Sequence, residues 1–281
     1  MARRPGPTRR VRVLELSGDE SRRREDRLAT EEPLEIRVDA PGLPVERFGI
    51  TMRTPGNDFE LAAGLLFAEE VYAAREDLRS IAYCTDADLS DEEEFNVVTV
   101  HLTVPPSVGW HTRNMSSACG VCGKESVSEV AVAASEIRTD LAVPSTVIAA
   151  APSRLREGQR VFDSTGGLHA AGIFGIDGMQ RVVREDVGRH NAVDKAIGRS
   201  LLEGIDLSKT LLCVSGRVAY EIVQKAARAG ISTIIAVGAP SSLAVDVAER
   251  VGITIVGFVR DDRMVVYTHP DRVTHATTTA G

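Results

Sequence analysis

The chain has 281 residues, enough for two domains of ordinary size, and 43% hydrophobic but only 4% aromatic residues, so its core is mostly Val, Leu, Ile and Ala. A net charge of −7 argues against general nucleic-acid affinity. Four cysteines with a single C-x-x-C fit a reducing cytoplasm better than a disulfide framework, and no run of about 18 apolar residues is present to span a membrane.

Residues 1–30 carry nine arginines and little apolar pattern, which predicts a disordered basic arm. Twin arginines occur at Arg3-Arg4 and Arg9-Arg10, but no apolar stretch follows to make a secretion signal. Leu34 to Val38 alternates as a half-buried strand does, and Phe48 to Met52 reads as a second strand. Arg53-Thr54-Pro55-Gly56-Asn57-Asp58 is turn and cap chemistry leading into a helix to about Glu70. Asp86 to Glu94 holds six acids in nine residues and reads as a solvated loop. Phe95 to Val104 is a strand that ends at Pro105-Pro106. Glu125 to Ile137 places Val127, Val130, Ala131, Ala134 and Ile137 at helical spacing.

Pro144 to Pro152 reads as the crossing from an α+β domain over 31–143 into a second domain over 144–281. The second domain alternates helix and strand signals, which predicts an α/β fold with a mainly parallel sheet. Its elements are a helix over Arg189 to Leu202, a buried strand over Thr210 to Ser215, and a helix over Tyr220 to Ala229. A strand over Ile231 to Val237 follows, then a helix capped by Ser241 or Ser242 and running to about Val251. Strands over Gly252 to Val259 and Met264 to Thr268 complete it. Cys213 lies in one of these strands and reads as core.

The chemistry begins at Cys119-Gly120-Val121-Cys122-Gly123. Glycines keep the thiols off the helix that follows, whose N-terminus, with Lys124, favours thiolates. Two such thiols can bind metal, cycle as a disulfide or carry sulfur. Structural zinc wants four ligands in clustered pairs, yet Cys84 and Cys213 stand alone in the sequence. A thioredoxin-like pair belongs in an early strand-to-helix turn of a small domain, and this one sits at residue 119. Sulfur carriage needs one nucleophilic cysteine on an accessible loop and tolerates a second.

Other polar blocks stand further on. Thr165 to Gly172 sets His169 among glycines and small residues, and its His-Ala resembles the start of the H-x-E of zinc nucleobase deaminases, but position 171 is Ala and no P-C-x-x-C follows. Glu185-Asp186-Val187-Gly188-Arg189-His190-Asn191-Ala192-Val193-Asp194-Lys195 opens a helix, where anions bind, and composition alone also allows an ion-paired surface helix. Ser215-Gly216-Arg217 and Gly238-Ala239-Pro240-Ser241-Ser242 are strand-to-helix turns at carboxyl ends of strands, where ligands of open α/β sheets bind. Phe258 to Arg263 reads as a strand running into a hairpin turn.

Ser-Ser-Ala-Cys-Gly-Val-Cys-Gly-Lys resembles the cysteine loop of the FdhD/NarQ family of formate dehydrogenase accessory sulfurtransferases. Arg53 to Asn57, Thr165 to Gly172, Glu185 to Lys195 and Gly238 to Ser242 resemble further family blocks in the same order, so the likeness spans about Arg53 to His269. It implies a cytoplasmic sulfur carrier required for formate dehydrogenase activity. Such a carrier takes persulfide sulfur from a cysteine desulfurase and passes it to the molybdenum (or tungsten) bis-guanine-dinucleotide cofactor, bound as substrate, before insertion into formate dehydrogenase. Cys119 matches the persulfide cysteine, with Cys122 beside it. The resemblance also implies a cytidine-deaminase-like three-layer C-terminal domain, and a homodimer. His169, His190, Arg217, Ser241, Ser242 and the stretch Phe258, Val259, Arg260, Asp261, Asp262 and Arg263 are the expected cofactor contacts, with GDP as a partial mimic. A cofactor-binding chaperone without sulfur chemistry is the alternative, and a zinc-dependent nucleotide hydrolase a more distant one.

Overall fold

The computed structural model describes residues 5–84, 94–106 and 136–275. The cysteine loop lies outside them, as do most of the acidic stretch and all but the end of the helix read over Glu125 to Ile137.

The arm expected to be disordered is instead an antiparallel hairpin of β1 (Thr8–Ser17) and β2 (Glu20–Ala29), turning at Gly18. The arginine count hides its pattern. Val11 and Val13 alternate on one face, and on that same face Arg22 and Arg24 meet Glu15 across the ladder. Cross-strand pairing of opposite charges supports strands that composition alone reads as unfolded.

Two sheets follow. A four-stranded sheet runs β4-β3-β6-β5, from β3 (Glu32–Asp39), β4 (Glu46–Arg53), β5 (Leu78–Tyr83) and β6 (Val97–Leu102). A short pair joins β7 (Val143–Pro144) to β14 (Val273–Thr274). The larger sheet is formed by β8 (His169–Gly175), β9 (Gln180–Asp186), β10 (Thr210–Val214), β11 (Thr233–Ala236), β12 (Thr254–Arg260) and β13 (Arg263–Val266). Its order is β13-β12-β11-β10-β8-β9. The expectation of a mainly parallel sheet is corrected here: only β10, β11 and β12 run parallel, while β8, β9 and β13 are antiparallel to their neighbours. The hairpins β8–β9 and β12–β13 need only short turns, whereas each parallel connection carries a helix.

Helices cover both faces of this sheet. Ile148, Ala151 and Leu155 of the Ser145–Glu157 helix pack with Phe174, Leu211, Cys213, Ile235 and Val256 on one side. That helix replaces the expected domain crossing. Pro152 lies inside it, and the buried stripe outweighs the hydrogen bond that proline forfeits. On the other side the Arg189–Leu202, Tyr220–Arg228 and Ser242–Val251 helices share a cluster with Ile173, Leu212, Ile234 and Ile255.

That cluster continues into the N-terminal region through Leu34, Ile36, Leu61, Leu66 and Val100. The boundary expected near residue 144 therefore separates two sheets that share one hydrophobic core. Helix α1 (Asp58–Ala68) is buried almost all round because it lies between the small sheet and the Arg189–Leu202 helix. A Cβ at Gly64 would overlap the carbonyl oxygen of Asp194, and one at Gly198 that of Glu60, so the two backbones touch. Gly64→Ala is expected to cost about 1–3 kcal/mol through overpacking. Urea denaturation measures it, and a variant as stable as the wild type would show that the helices separate freely.

Candidate functional site

The carboxyl ends of β10, β11 and β12 are stitched into one edge. The Gly238 amide donates to the Gly216 carbonyl at 3.1 Å, and the Phe258 amide donates to the Gly238 carbonyl at 3.2 Å. The Ser241 amide donates to the Val218 carbonyl at 2.9 Å. A Cβ at Gly238 would come within 2.9 Å of the Gly216 carbonyl oxygen, so this close approach requires glycine. Phe258 sits at a register shift of β12 with φ 52° and its side chain exposed. A non-glycine residue held in left-handed backbone marks a position the surroundings impose.

The antiparallel β8 brings its first residue, His169, to the same edge, directly opposite Asp186 at the end of β9. His169 and Ser215 line an open cleft of about 520 Å³ together with Arg156, Phe162, Gly167 and Val237. The Ser215 hydroxyl accepts from the Ala170 amide at 2.9 Å, which fixes it at the cleft wall. Burial, and then the charges of Arg189 and His190, hold the His169 imidazole below its ordinary pKa. It is therefore neutral at neutral pH and can accept a hydrogen bond.

After β9 the chain turns into the Arg189–Leu202 helix, whose first turn places Arg189 and His190 at this edge. The rest of the polar block turns inward. Asp186 is fully buried, accepts from the amides of Thr54 and Gly188, and pairs with Lys195 at 2.7 Å. Lys195 also donates to the Thr54 carbonyl at 2.8 Å, and Asn191 to the Met52 carbonyl at 2.7 Å. Asp194 pairs with Lys225 at 2.6 Å, and burial raises its carboxyl pKa despite that partner. Arg53 pairs with Asp58 at 3.0 Å beneath the same turn. The Arg53-Thr54-Pro55 turn and the Glu185 to Lys195 block thus lock onto each other. They join the two regions, while Arg189 and His190 stand at the turn itself.

The other expected contacts are placed as follows. Arg217 and Ser242 are exposed at the edge. Ser241 is exposed too, but its hydroxyl caps the helix by accepting from the Ala244 amide at 3.2 Å. Arg260 and Arg263 face each other across the turn of the β12–β13 hairpin, with Asp261 at φ 53° beside Asp262. Val259 is packed in the core, which leaves only its backbone for a ligand. Ala171, where a deaminase carries its catalytic Glu, is a core residue. Among the described residues, no three His, Cys, Asp or Glu side chains gather as a metal would need. Nor is any helix among them long and apolar enough to cross a membrane. Cys119 and Cys122 lie outside the described residues.

Arg189 is legible in the sequence as part of its block at a helix start. Glu221 had no signal beyond its position in the first turn of the Tyr220–Arg228 helix, and it reaches His190 only through the fold.

Residues 29–274 match the family model described as the FdhD/NarQ family. A protein of Mycolicibacterium paratuberculosis named sulfur carrier protein FdhD is 48% identical over 276 residues, covering 95% of this chain and 98% of that one. A protein of Thermoplasma acidophilum with the same name is 40% identical over 248 residues, covering 88% of this chain and 87% of that one. The crystal structure of a candidate formate dehydrogenase accessory protein from Desulfotalea psychrophila is similar in fold, with a TM-score of 0.76 at 24% identity over 95% of this chain and all of that one.

Proposed function

The chain belongs to the FdhD/NarQ family, and from that premise we propose that it is a cysteine-persulfide sulfur carrier that serves formate dehydrogenase. The Cys119 thiolate attacks the outer sulfur of a cysteine desulfurase persulfide. The new S–S bond forms on Cys119 as the desulfurase thiolate leaves. If the Cys122 thiolate then attacks the Cys119 sulfur, a disulfide closes and sulfide departs, so the two thiols supply the two electrons that reduce the carried sulfur. The acceptor is the molybdenum or tungsten bis-guanine-dinucleotide cofactor, bound as substrate.

The observation that carries the binding half of this reading is the convergence of His169, Arg189, His190 and Arg217 beside the loops Gly216 and Gly238 at one sheet edge. Two phosphate groups need fixed donors and an open backbone. The exposed Arg217 and the starts of the Arg189–Leu202 and Ser242–Val251 helices supply the donors, and Gly238 lets the neighbouring turns close into one edge. Helices on both faces of a sheet with three parallel central strands support the reading of this region as deaminase-like. A cofactor with two nucleotide arms suits two such sites, so a homodimer is part of the proposal. Light scattering tests it against the monomer mass of 30.2 kDa.

GDP is expected to bind this edge. At about a hundred times its Kd it stabilises the fold by about 2.7 kcal/mol, read as a rise in melting temperature. Arg217→Ala, which removes a charged donor, is expected to weaken GDP about tenfold. A folded protein that titration calorimetry shows not to bind GDP contradicts the assignment of the edge.

A further inference from the structure

His190 carries a buried nitrogen without a partner. The residue is 8% exposed, and its Nε2 is enclosed with no hydrogen-bond partner among the described residues. The carboxylate facing that nitrogen is Glu221, whose Oε2 lies 3.4 Å away, near enough for charge attraction but poorly aligned for a hydrogen bond. Glu221 is itself 8% exposed. An enclosed carboxylate at an edge otherwise shaped for phosphate is costly unless a cation matches it.

We infer that Glu221 is a positioning residue for His190, turning Nε2 inward and presenting Nδ1 to an anionic group of the substrate, so that a nucleotide phosphate binds there together with a proton. This rests on the reading that the edge holds nucleotide phosphates. The neighbouring charges leave Glu221 to this task. Asp194, one turn along the helix from His190, is taken by Lys225 at 2.6 Å. Asp186, at the end of β9, is taken by Lys195 at 2.7 Å. Arg189 on the same helix and His169 from β8 are the other titratable groups at this edge. Glu221 is the carboxylate within ion-pairing distance of the His190 Nε2, and among the described residues it has no Lys or Arg ion pair. Burial pushes the Glu221 carboxyl up, but the His190 imidazole, its own backbone amide and Arg189 together carry it below its ordinary value. It is ionised, ready to stabilise a proton on His190 when phosphate charge arrives.

GDP titration calorimetry on the full-length protein, in buffers of different ionisation enthalpy, counts the protons taken up. The wild type is expected to take up a proton with GDP across about pH 7–8. Glu221→Gln is expected to take up less and to bind GDP about tenfold more weakly at the upper end of that range, the loss closing as the pH falls. A carboxylate that merely repels the ligand predicts the reverse, tighter binding by Glu221→Gln at every pH. NMR titration of the His190 ring without nucleotide gives a second readout, expected to move to lower pH in Glu221→Gln. If that variant does not fold, Glu221→Asp, which keeps the charge, is expected to keep proton uptake, and His190→Gln to lose it. A wild type that binds no GDP overturns both this inference and the nucleotide reading. GDP binding without proton uptake, tighter binding by Glu221→Gln, or an unmoved His190 midpoint overturns this inference alone.

Discussion

A strain whose only copy of this protein carries Cys119→Ala is expected to show formate dehydrogenase activity at the background of a strain lacking the protein, a loss of about a thousandfold or more. The size follows from the chemistry. A carried sulfur must form a covalent bond, and no neighbouring oxygen or nitrogen can hold it as a persulfide. The positive charge of Lys124 close by in the sequence favours a thiolate, and alanine leaves nothing to attack the donor. Cys122→Ala is expected to lose less, because another thiol can resolve the persulfide more slowly. A protein that only holds the cofactor keeps its activity in Cys119→Ala, and that result would replace sulfur carriage with the chaperone reading.

Lys195→Met is expected to lower stability by about 3–5 kcal/mol and the melting temperature by roughly 10 °C. The ammonium group is 1% exposed and neutralises an Asp186 that is fully buried. Removing it strands that charge and also frees the Thr54 carbonyl, which the Lys195 ammonium bonds at 2.8 Å. Asp186 accepts from Thr54 as well, so both regions lose their shared joint. Asp186→Asn added to Lys195→Met should recover part of the loss, because no charge then remains unpaired. Urea denaturation reads all three proteins. A loss below about 1 kcal/mol would show that the pair is replaceable by water and that the joint lies elsewhere.

The helices and strands after residue 189 could be read from the chain because each is short, regular and punctuated. The Arg189–Leu202 helix falls where its periodicity puts it, and Ser241 caps the next but one as its type suggests. What failed was non-local. The β1–β2 hairpin depends on which arginine opposes which acid across ten residue pairs, and that register is invisible to composition. Pro152 argued against a helix whose buried face outweighs it. The direction of β8 and β9 follows from a tight turn at Gly175 to Met179 rather than from either strand.

The site shows the same division. Arg217 and the turns at Gly216 and Gly238 lie at the carboxyl ends of strands, where the pattern of short strands and glycines put them. The polar block at Glu185 to Lys195 reads as an anion site or an ion-paired surface helix, yet burial turns Asp186, Asn191, Asp194 and Lys195 into a structural joint and leaves Arg189 partly exposed. Val259 was read as a contact with the stretch around it, and strand alternation turns its side chain into the core. Glu221 has meaning only beside His190, 31 residues away in the chain, which no spacing rule links.

The central claim is that Cys119 carries sulfur, and mass spectrometry tests it most directly. The purified protein is incubated with a cysteine desulfurase and cysteine, then digested without reductant. The peptide holding Cys119 should gain one sulfur, about 32 Da, lost on treatment with dithiothreitol and absent from Cys119→Ala. An unchanged peptide after the desulfurase has turned over, or an added sulfur that persists in Cys119→Ala, contradicts the account.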